Sequence, residues 1–254
     1  VDGILLVDKA AGWTSHDVVA KVRGLLRQEL RSKNNELRRN PNSKYMIHNT
    51  RGSKIRVGHA GTLDPAATGL LLLLIGSYTK RAGEFSKLDK TYEAEITLGA
   101  VSTTGDTDGQ ITPVAQHAFS GLSFKQRPNI TELEAVMKAF TGVIKQIPPA
   151  YSAIKIGGQR AYTLARMGKR VQLEPRQVTV YRLQVTEYKY PKLKIVAEVS
   201  SGTYIRSLAE DIGEKLGTGA YLSSLRRTQV GNFGLDHALK LDDVNYSTLL
   251  NTLQ

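Results

Sequence analysis

Val57-Gly58-His59-Ala60-Gly61-Thr62-Leu63-Asp64-Pro65-Ala66-Ala67-Thr68-Gly69, with the apolar run 70–75 behind it, is the most informative stretch of this 254-residue chain. Its glycines and its proline read as a loop, and loops carried on rigid elements hold side chains in fixed, exposed positions. Pro65 steers Asp64 away from helical backbone and stiffens its placement. An Asp before Pro is also an ordinary turn former, so Asp64 stands out as a candidate carboxylate only through its company. Tyr92 and Arg206 are the residues that could provide it.

Upstream, a strand over 3–7 leads through Asp8-Lys9-Ala10-Ala11-Gly12 to a helix capped by Thr14 or Ser15. Val18, Val22, Leu25 and Leu26 form its buried stripe. The stretch 28–56 is rich in Asn and Arg, lacks apolar periodicity and reads as a flexible insertion within a domain. Downstream, strict alternation over 91–98 predicts a half-buried strand whose inner face is Tyr92, Ala94, Ile96 and Leu98. Thr131 and Glu134 form a capping-box pattern before a helix carrying Leu133, Val136, Met137 and Phe140. The Gly157-Gly158 turn precedes an Arg-rich helix over 160–167, and strands are predicted over 178–186 and 193–199. A last clear helix carries Ile205, Leu208, Ala209, Ile212 and Leu216, with Arg206 near its start. Strands and helices interleave irregularly, which predicts one α+β domain over 1–254 around a mixed, mainly antiparallel central sheet flanked by helices and loops.

Composition narrows the function. Thirty-five Lys and Arg against 23 Asp and Glu leave a net charge of +12 and point to a polyanionic partner. The stretch from Arg27 to Arg56 holds nine basic and two acidic residues, seven of those twelve net charges. The absence of cysteine excludes disulfides, zinc ribbons and thiol nucleophiles and fits a reducing compartment. No apolar run is long enough to span a bilayer, the N-terminus lacks a secretion signal, and a cytoplasmic protein is expected. The five histidines show no metal-ligand spacing, so no metal is expected. There is no Gly-x-Ser-x-Gly elbow and no phosphate-binding glycine fingerprint. A glycosidase would need a second carboxylate; Asp106 and Asp108 are the nearest, and their Gly-rich setting reads as a turn.

Taken together, these segments resemble the TruB family of tRNA pseudouridine synthases from Gly3 to about Phe233. The stretch Val57 to Gly69 is similar to the family's signature loop. Lys90-Thr91-Tyr92 matches the segment with the active-site Tyr, and Gly202-Thr203-Tyr204-Ile205-Arg206-Ser207-Leu208 the segment whose Arg pairs with the Asp. Gln146-Ile147-Pro148-Pro149-Ala150-Tyr151-Ser152-Ala153-Ile154-Lys155 resembles a fourth block, and Ser224-Leu225-Arg226-Arg227-Thr228 a fifth. Ala10 follows Lys9 where the family often has Pro.

The resemblance implies the pseudouridine synthase fold and an isomerase that flips a T-loop uridine, at position 55 of tRNA, out of its stack. Asp64 would be the nucleophilic carboxylate and Arg206 its partner, with Tyr92 stacked on the base. His59 would fill the space the base vacates, and Tyr204 and Leu225 would wall the pocket. Lys80, Lys155, Arg160 and Arg166 are candidates for phosphate contacts. No cofactor or metal is implied, the expected partner is the tRNA T arm, and a monomer is expected. A small C-terminal RNA-binding domain called PUA, present in many bacterial members, finds no room before Gln254, so the basic stretch 28–56 is a candidate for added tRNA contacts. A guide-dependent synthase subunit shares the loop, and a non-catalytic tRNA-binding module or RNA chaperone would share the fold. Intact Asp64, Tyr92 and Arg206 favour the enzyme.

Overall fold

The computed structural model describes residues 2–39, 55–114, 127–152, 154–169 and 171–252. In chain order the elements are β1 (Gly3–Lys9), α1 (Ser15–Arg39), β2 (Val57–Ala60), β3 (Thr68–Ile75), α2 (Ala82–Ser86), β4 (Lys90–Leu98), β5 (Ala100–Ser102), β6 (Ile111–Pro113), α3 (Ile130–Ala139) and β7 (Gly142–Gln146). There follow β8 (Lys155–Ile156), β9 (Gln159–Arg160), α4 (Ala161–Arg166), β10 (Arg176–Lys189), β11 (Lys192–Val199), α5 (Ile205–Leu216), β12 (Ala220–Val230), β13 (Phe233–Gly234), β14 (Leu239–Lys240) and α6 (Tyr246–Thr252). They gather into two compact units, Val1–Ser86 with Asn232–Gln254, and Lys87–Gly231. Among the described residues, pairing within the units is antiparallel except between β1 and β14 and at a bridge from Asp106 to Leu222, so the α+β class with a mixed, mainly antiparallel sheet is observed.

In the first unit β3 pairs with β1 from Gly3↔Ile75 to Lys9↔Gly69, and with β2 from Val57↔Ile75 to Ala60↔Leu72. Residues 70–75 are fully buried, which is why that run shows no alternation: both faces of β3 are covered. The stretch beginning at Val57, read as loop, opens as a strand, because Val57 to Ala60 can take ladder bonds from β3; the loop proper starts at Gly61, whose φ is 78°.

Thr14 is the residue that caps α1: its Oγ1 accepts from the Asp17 amide at 3.1 Å while its own amide donates to the Asp17 carboxylate at 2.9 Å. The helix then runs through Arg39, well into the stretch read as irregular from residue 28. Residues 28–39 contain no Gly or Pro and are rich in Leu, Arg, Glu, Lys and Gln, good helix formers that need no apolar stripe. Residues 40–54 of the expected insertion lie outside the described residues. The C-terminal segment completes this unit, with Val7↔Leu239 and Asp8↔Lys240 in parallel register, Lys21 Nζ donating to the Leu241 carbonyl at 2.7 Å, and Leu241, Val244 and Leu249 buried.

In the second unit the strand order is β12-β4-β11-β10-β7. Tyr92, Ala94, Ile96 and Leu98 are all buried, as the alternation predicts, beside Ala197, Ile195 and Leu193 of β11 in register. Helix α5 packs on β12 and β4, and α3 on β10 and α5. At Gly213 of α5, an added Cβ would lie 2.4 Å from Ala220 of β12, so only glycine lets helix and strand meet there. The capping box of α3 is Asn129 with Glu132, closed by both reciprocal bonds, and not Thr131 with Glu134. Both pairs fit the pattern; starting at Asn129 also uses the fixed backbone of Pro128 just outside the helix. Among the described residues no helix is long and apolar enough to cross a membrane.

Candidate active site

Asp64 sits half-buried in the loop between β2 and β3, and the backbone on both sides of it is held by side chains from the chain's first twenty residues. On one side the buried Ser15 hydroxyl accepts from the Leu63 amide at 2.9 Å and donates to the Leu63 carbonyl at 3.1 Å. On the other, the Pro65 carbonyl accepts from the Gly12 amide at 2.9 Å and from Lys9 Nζ at 3.1 Å. Lys9 is 0% exposed at the end of β1, and its ammonium also donates to the carbonyls of Trp13 at 2.7 Å and Ala10 at 3.0 Å. A buried ammonium is costly unless hydrogen bonds satisfy it, and here these bonds tie β1, the start of α1 and the loop together. The Asp64 carbonyl accepts from the Ala67 amide at 3.1 Å, closing the turn. His59 lies in the same unit on β2, opposite Leu73.

Tyr92 belongs to the second unit, on β4, where Arg227 of β12 and Ala197 of β11 stand opposite it. Arg227 is 1% exposed, so a buried guanidinium lies beside the ring's strand position. Leu225 is opposite Ala94, two positions further along the same inner face. Two residues before Tyr92, burial and then Arg227 lower the Lys90 ammonium to about 8, and its Nζ donates to the Leu88 carbonyl.

Arg206, 5% exposed, is enclosed at the start of α5. Its Nη1 donates to the Thr104 carbonyl at 3.0 Å, its Nη2 to the Tyr151 carbonyl at 2.8 Å, and its Nε lies 3.5 Å from the Asp106 carboxylate. Asp106 is itself fixed: its Oδ1 accepts from the Thr104 hydroxyl and from the Asp108 amide, and its carbonyl accepts from the Ser102 hydroxyl at 2.6 Å. The Gly-rich segment is thus the turn that the sequence suggested, and it also supplies a carboxylate to the arginine. One helical turn beyond Arg206, burial first and Asp211 second push Glu210 up to about 7. Tyr204 is the N-cap residue of α5 and its main chain is bonded to the side chain of Gln146.

The basic candidates lie on the surface. Lys80 is exposed on a 3-10 turn of the first unit, Gly76–Arg81. In the second unit Lys155 and Arg160 are cross-strand partners in the β8–β9 hairpin, and Arg160 and Arg166 approach the Tyr162 ring at 5.9 and 5.6 Å. Tyr162 and Arg166 belong to α4, so the charged hairpin and the helix after it together bring two guanidiniums to one aromatic ring. Among the described residues no three His, Asp or Glu side chains gather where they could hold a metal ion.

Sequence reading missed Ser15 as an anchor and Asp106 as a partner of Arg206, and it held Gln146 and Arg227 only as members of the fourth and fifth blocks, with no role. Each acts through residues distant along the chain, 48 positions for Ser15 and 58 for Gln146, so local patterns carry no trace of the contact. The one available signal was a lone polar residue at an inward position of a strand, as Gln146 is on β7.

Comparison with known proteins identifies the family of the chain. Residues 47–205 match the profile of the TruB family pseudouridylate synthase N-terminal domain, and residues 206–252 that of the tRNA pseudouridylate synthase B C-terminal domain. The chain is 41% identical to tRNA pseudouridine synthase B of Thermobifida fusca, over 96% of this chain and 74% of that protein. It is 39% identical to the same-named protein of Pseudomonas fluorescens, over 96% and 68%. Among solved structures, a chain of a Cbf5-Nop10-Gar1 complex is 27% identical with a TM-score of 0.64, over 95% of this chain and 53% of that one. This chain therefore spans about half the length of that structural neighbour. With one profile matched over more than half of the chain, the second adjoining it, and more than two thirds of these bacterial relatives covered, the chain belongs to the TruB family of pseudouridylate synthases.

Proposed function

We propose that this chain is a tRNA pseudouridine synthase that isomerises the uridine at position 55 of the T loop, using Asp64 as its catalytic carboxylate. The reaction breaks the bond from the ribose to N1 of uracil, turns the base and joins the ribose to C5; the C5 proton leaves and N1 takes one up, so no atom is gained or lost overall and no redox partner is required. Attack at the ribose, attack at the base and a glycal route all put the carboxylate against the same extruded nucleoside. In this reading Arg206 is the guanidinium partner that keeps Asp64 ionised, Tyr92 stacks on the base, and Tyr204 and Leu225 wall the pocket. His59 fills the vacated space in the T loop.

The observation that supports Asp64 best is the two-sided anchoring of its backbone by Ser15 and by Lys9 with Gly12, since a nucleophile must be held within a fraction of an ångström. Mapping pseudouridine on total tRNA with and without the purified protein tests the reaction. Asp64→Asn tests the residue: isomerisation should vanish while tRNA binding survives, and a fully active variant would place the nucleophile elsewhere.

Phosphate contacts fall to Lys80, Lys155, Arg160 and Arg166, and to the basic stretch 28–56. At its start, Arg27, just before the stretch, and the exposed Arg31 within it lie one turn apart on α1. Neutralising both should flatten the salt dependence of tRNA binding by about one unit of slope for each phosphate that is no longer neutralised. An unchanged slope would remove the stretch from the interface. The enzyme is read as a cytoplasmic monomer acting on the tRNA T arm. A guide-dependent subunit, which would share the signature loop, is the second reading, and the likeness to a chain of a Cbf5-Nop10-Gar1 complex favours a subunit of an assembly. Modification of a bare tRNA transcript by the protein alone would exclude it.

A further inference from the structure

We propose that Gln146 is a positioning residue for the isomerisation, a carboxamide clamp that sets the start of α5 and with it Tyr204 and Arg206; this rests on the function proposed above. Gln146 ends β7 and is 2% exposed. Its Oε1 accepts from the Tyr204 amide at 2.8 Å and its Nε2 donates to the Tyr204 carbonyl at 3.0 Å, so one side chain holds both polar groups of one residue's main chain. That pairing imitates one rung of a β-ladder at a point where no strand is present.

Tyr204 needs it because of where it stands. As N-cap of α5 it occupies a position where Ser, Thr, Asp or Asn would normally cap the helix through a side-chain oxygen, and it makes no side-chain cap. Its carbonyl also accepts the first helical bond, from the Leu208 amide at 3.0 Å, so the clamp grips the peptide at which the helix begins. The next residues of the same segment reinforce the grip: the Ser207 hydroxyl donates to the Ile147 carbonyl at 2.8 Å, and Arg206 Nη2 to the Tyr151 carbonyl at 2.8 Å. The stretch from Gln146 to Tyr151 therefore fixes the start of α5, at Tyr204, Arg206 and Ser207, from outside the helix. A small rotation of α5 about its axis would displace the Arg206 guanidinium at the end of its long side chain far more than it would disturb the apolar stripe of Leu208 and Ile212.

The test uses the full chain with a tRNA transcript in single-turnover assays, where the rate of isomerisation is separated from binding. In Gln146→Met, which keeps the volume and loses both bonds, the rate per folded enzyme should fall about 10- to 100-fold with tRNA affinity changed less than about threefold. Gln146→Glu provides a signature that a purely structural role would not produce. The introduced carboxyl can restore both bonds only when protonated, its O–H to the Tyr204 carbonyl and its C=O to the Tyr204 amide. Ionised, it turns an acceptor against that carbonyl. Its rate divided by that of the wild type at the same pH should therefore fall as the carboxyl ionises between about pH 4 and 8; burial moves that fall to higher pH, and Arg176, the cross-strand partner, and Arg206 move it to lower pH. A Gln146→Met rate within about twofold of wild type, or a pH-independent ratio for Gln146→Glu, overturns the clamp. If Gln146→Met fails to fold, the Gln146→Glu ratio decides. A wild-type protein that forms no pseudouridine defeats the proposed function instead, so the two failures are distinct.

Discussion

The hydroxyl of Ser15 makes two hydrogen bonds to the main chain of Leu63, accepting at 2.9 Å and donating at 3.1 Å, and so ties the first turn of α1 to the residue before Asp64. Ser15 was in view from the sequence only as an alternative helix cap, a role that Thr14 fills. Ser15→Ala leaves a buried amide and carbonyl without their partner. It should lower stability by about 1–3 kcal/mol, read as a shift in urea midpoint. The single-turnover rate should fall by about tenfold as the loop loosens.

Lys9 offers a sharper version of the same test from the other side of Asp64. Its ammonium serves the carbonyls of Ala10, Trp13 and Pro65 from a fully buried position. Lys9→Met preserves the stem and removes these charge-assisted bonds, and should cost about 2–4 kcal/mol of unfolding free energy in urea titrations. Stability close to that of wild type would show that the bonds do not hold the loop.

Arg206→Lys keeps the positive charge and should still be inactive. The guanidinium reaches Thr104, Tyr151 and Asp106 with three different nitrogens, a fork that a single ammonium cannot copy. Single-turnover isomerisation should drop by about 100-fold while circular dichroism stays unchanged. Retention of most of the activity would mean that charge alone suffices.

Glu210 predicts a pH effect on stability. Burial, with help from Asp211, raises its carboxyl from an ordinary 4.5 to about 7. The folded state therefore binds the proton more tightly than the unfolded chain. The stability this group contributes is complete below 4.5 and is lost as pH rises through about 7. Glu210→Gln should stabilise the protein at pH 8 by about 1–2 kcal/mol after allowance for solvent screening, with the gain vanishing near pH 4.5. Thermal melts at the two pH values check it, and equal gains at both would contradict it.

Much of the fold was legible because its signals are local. Alternation disclosed β4 with its inner Tyr92, Ala94, Ile96 and Leu98, and helical periodicity disclosed α5. The boundaries and caps were less legible: Asn129 and Thr131 offer the same capping pattern two residues apart, and packing chooses between them. β12 escaped notice, since bulges near Ser223 and Thr228 break its alternation, although it lies beside β4 across the second unit's sheet. The tail after Phe233 escaped too, because a two-residue parallel pair with β1 depends on residues more than 200 positions away.

Sequence alone determined the chemistry that this protein can carry: an Asp before a Pro in a Gly-punctuated loop, a tyrosine opening an amphipathic strand, an arginine at a helix start, a basic balance suited to RNA, and no cysteine. These follow from residue identity and short spacing, which folding does not alter. Tertiary structure decided how those groups are held. That the loop around Asp64 hangs on Ser15 and Lys9, that Asp106 braces Arg206, and that Gln146 closes on Tyr204 are hydrogen bonds between groups far apart in the chain. Such bonds depend on distances of about 3 Å that only the folded backbone sets.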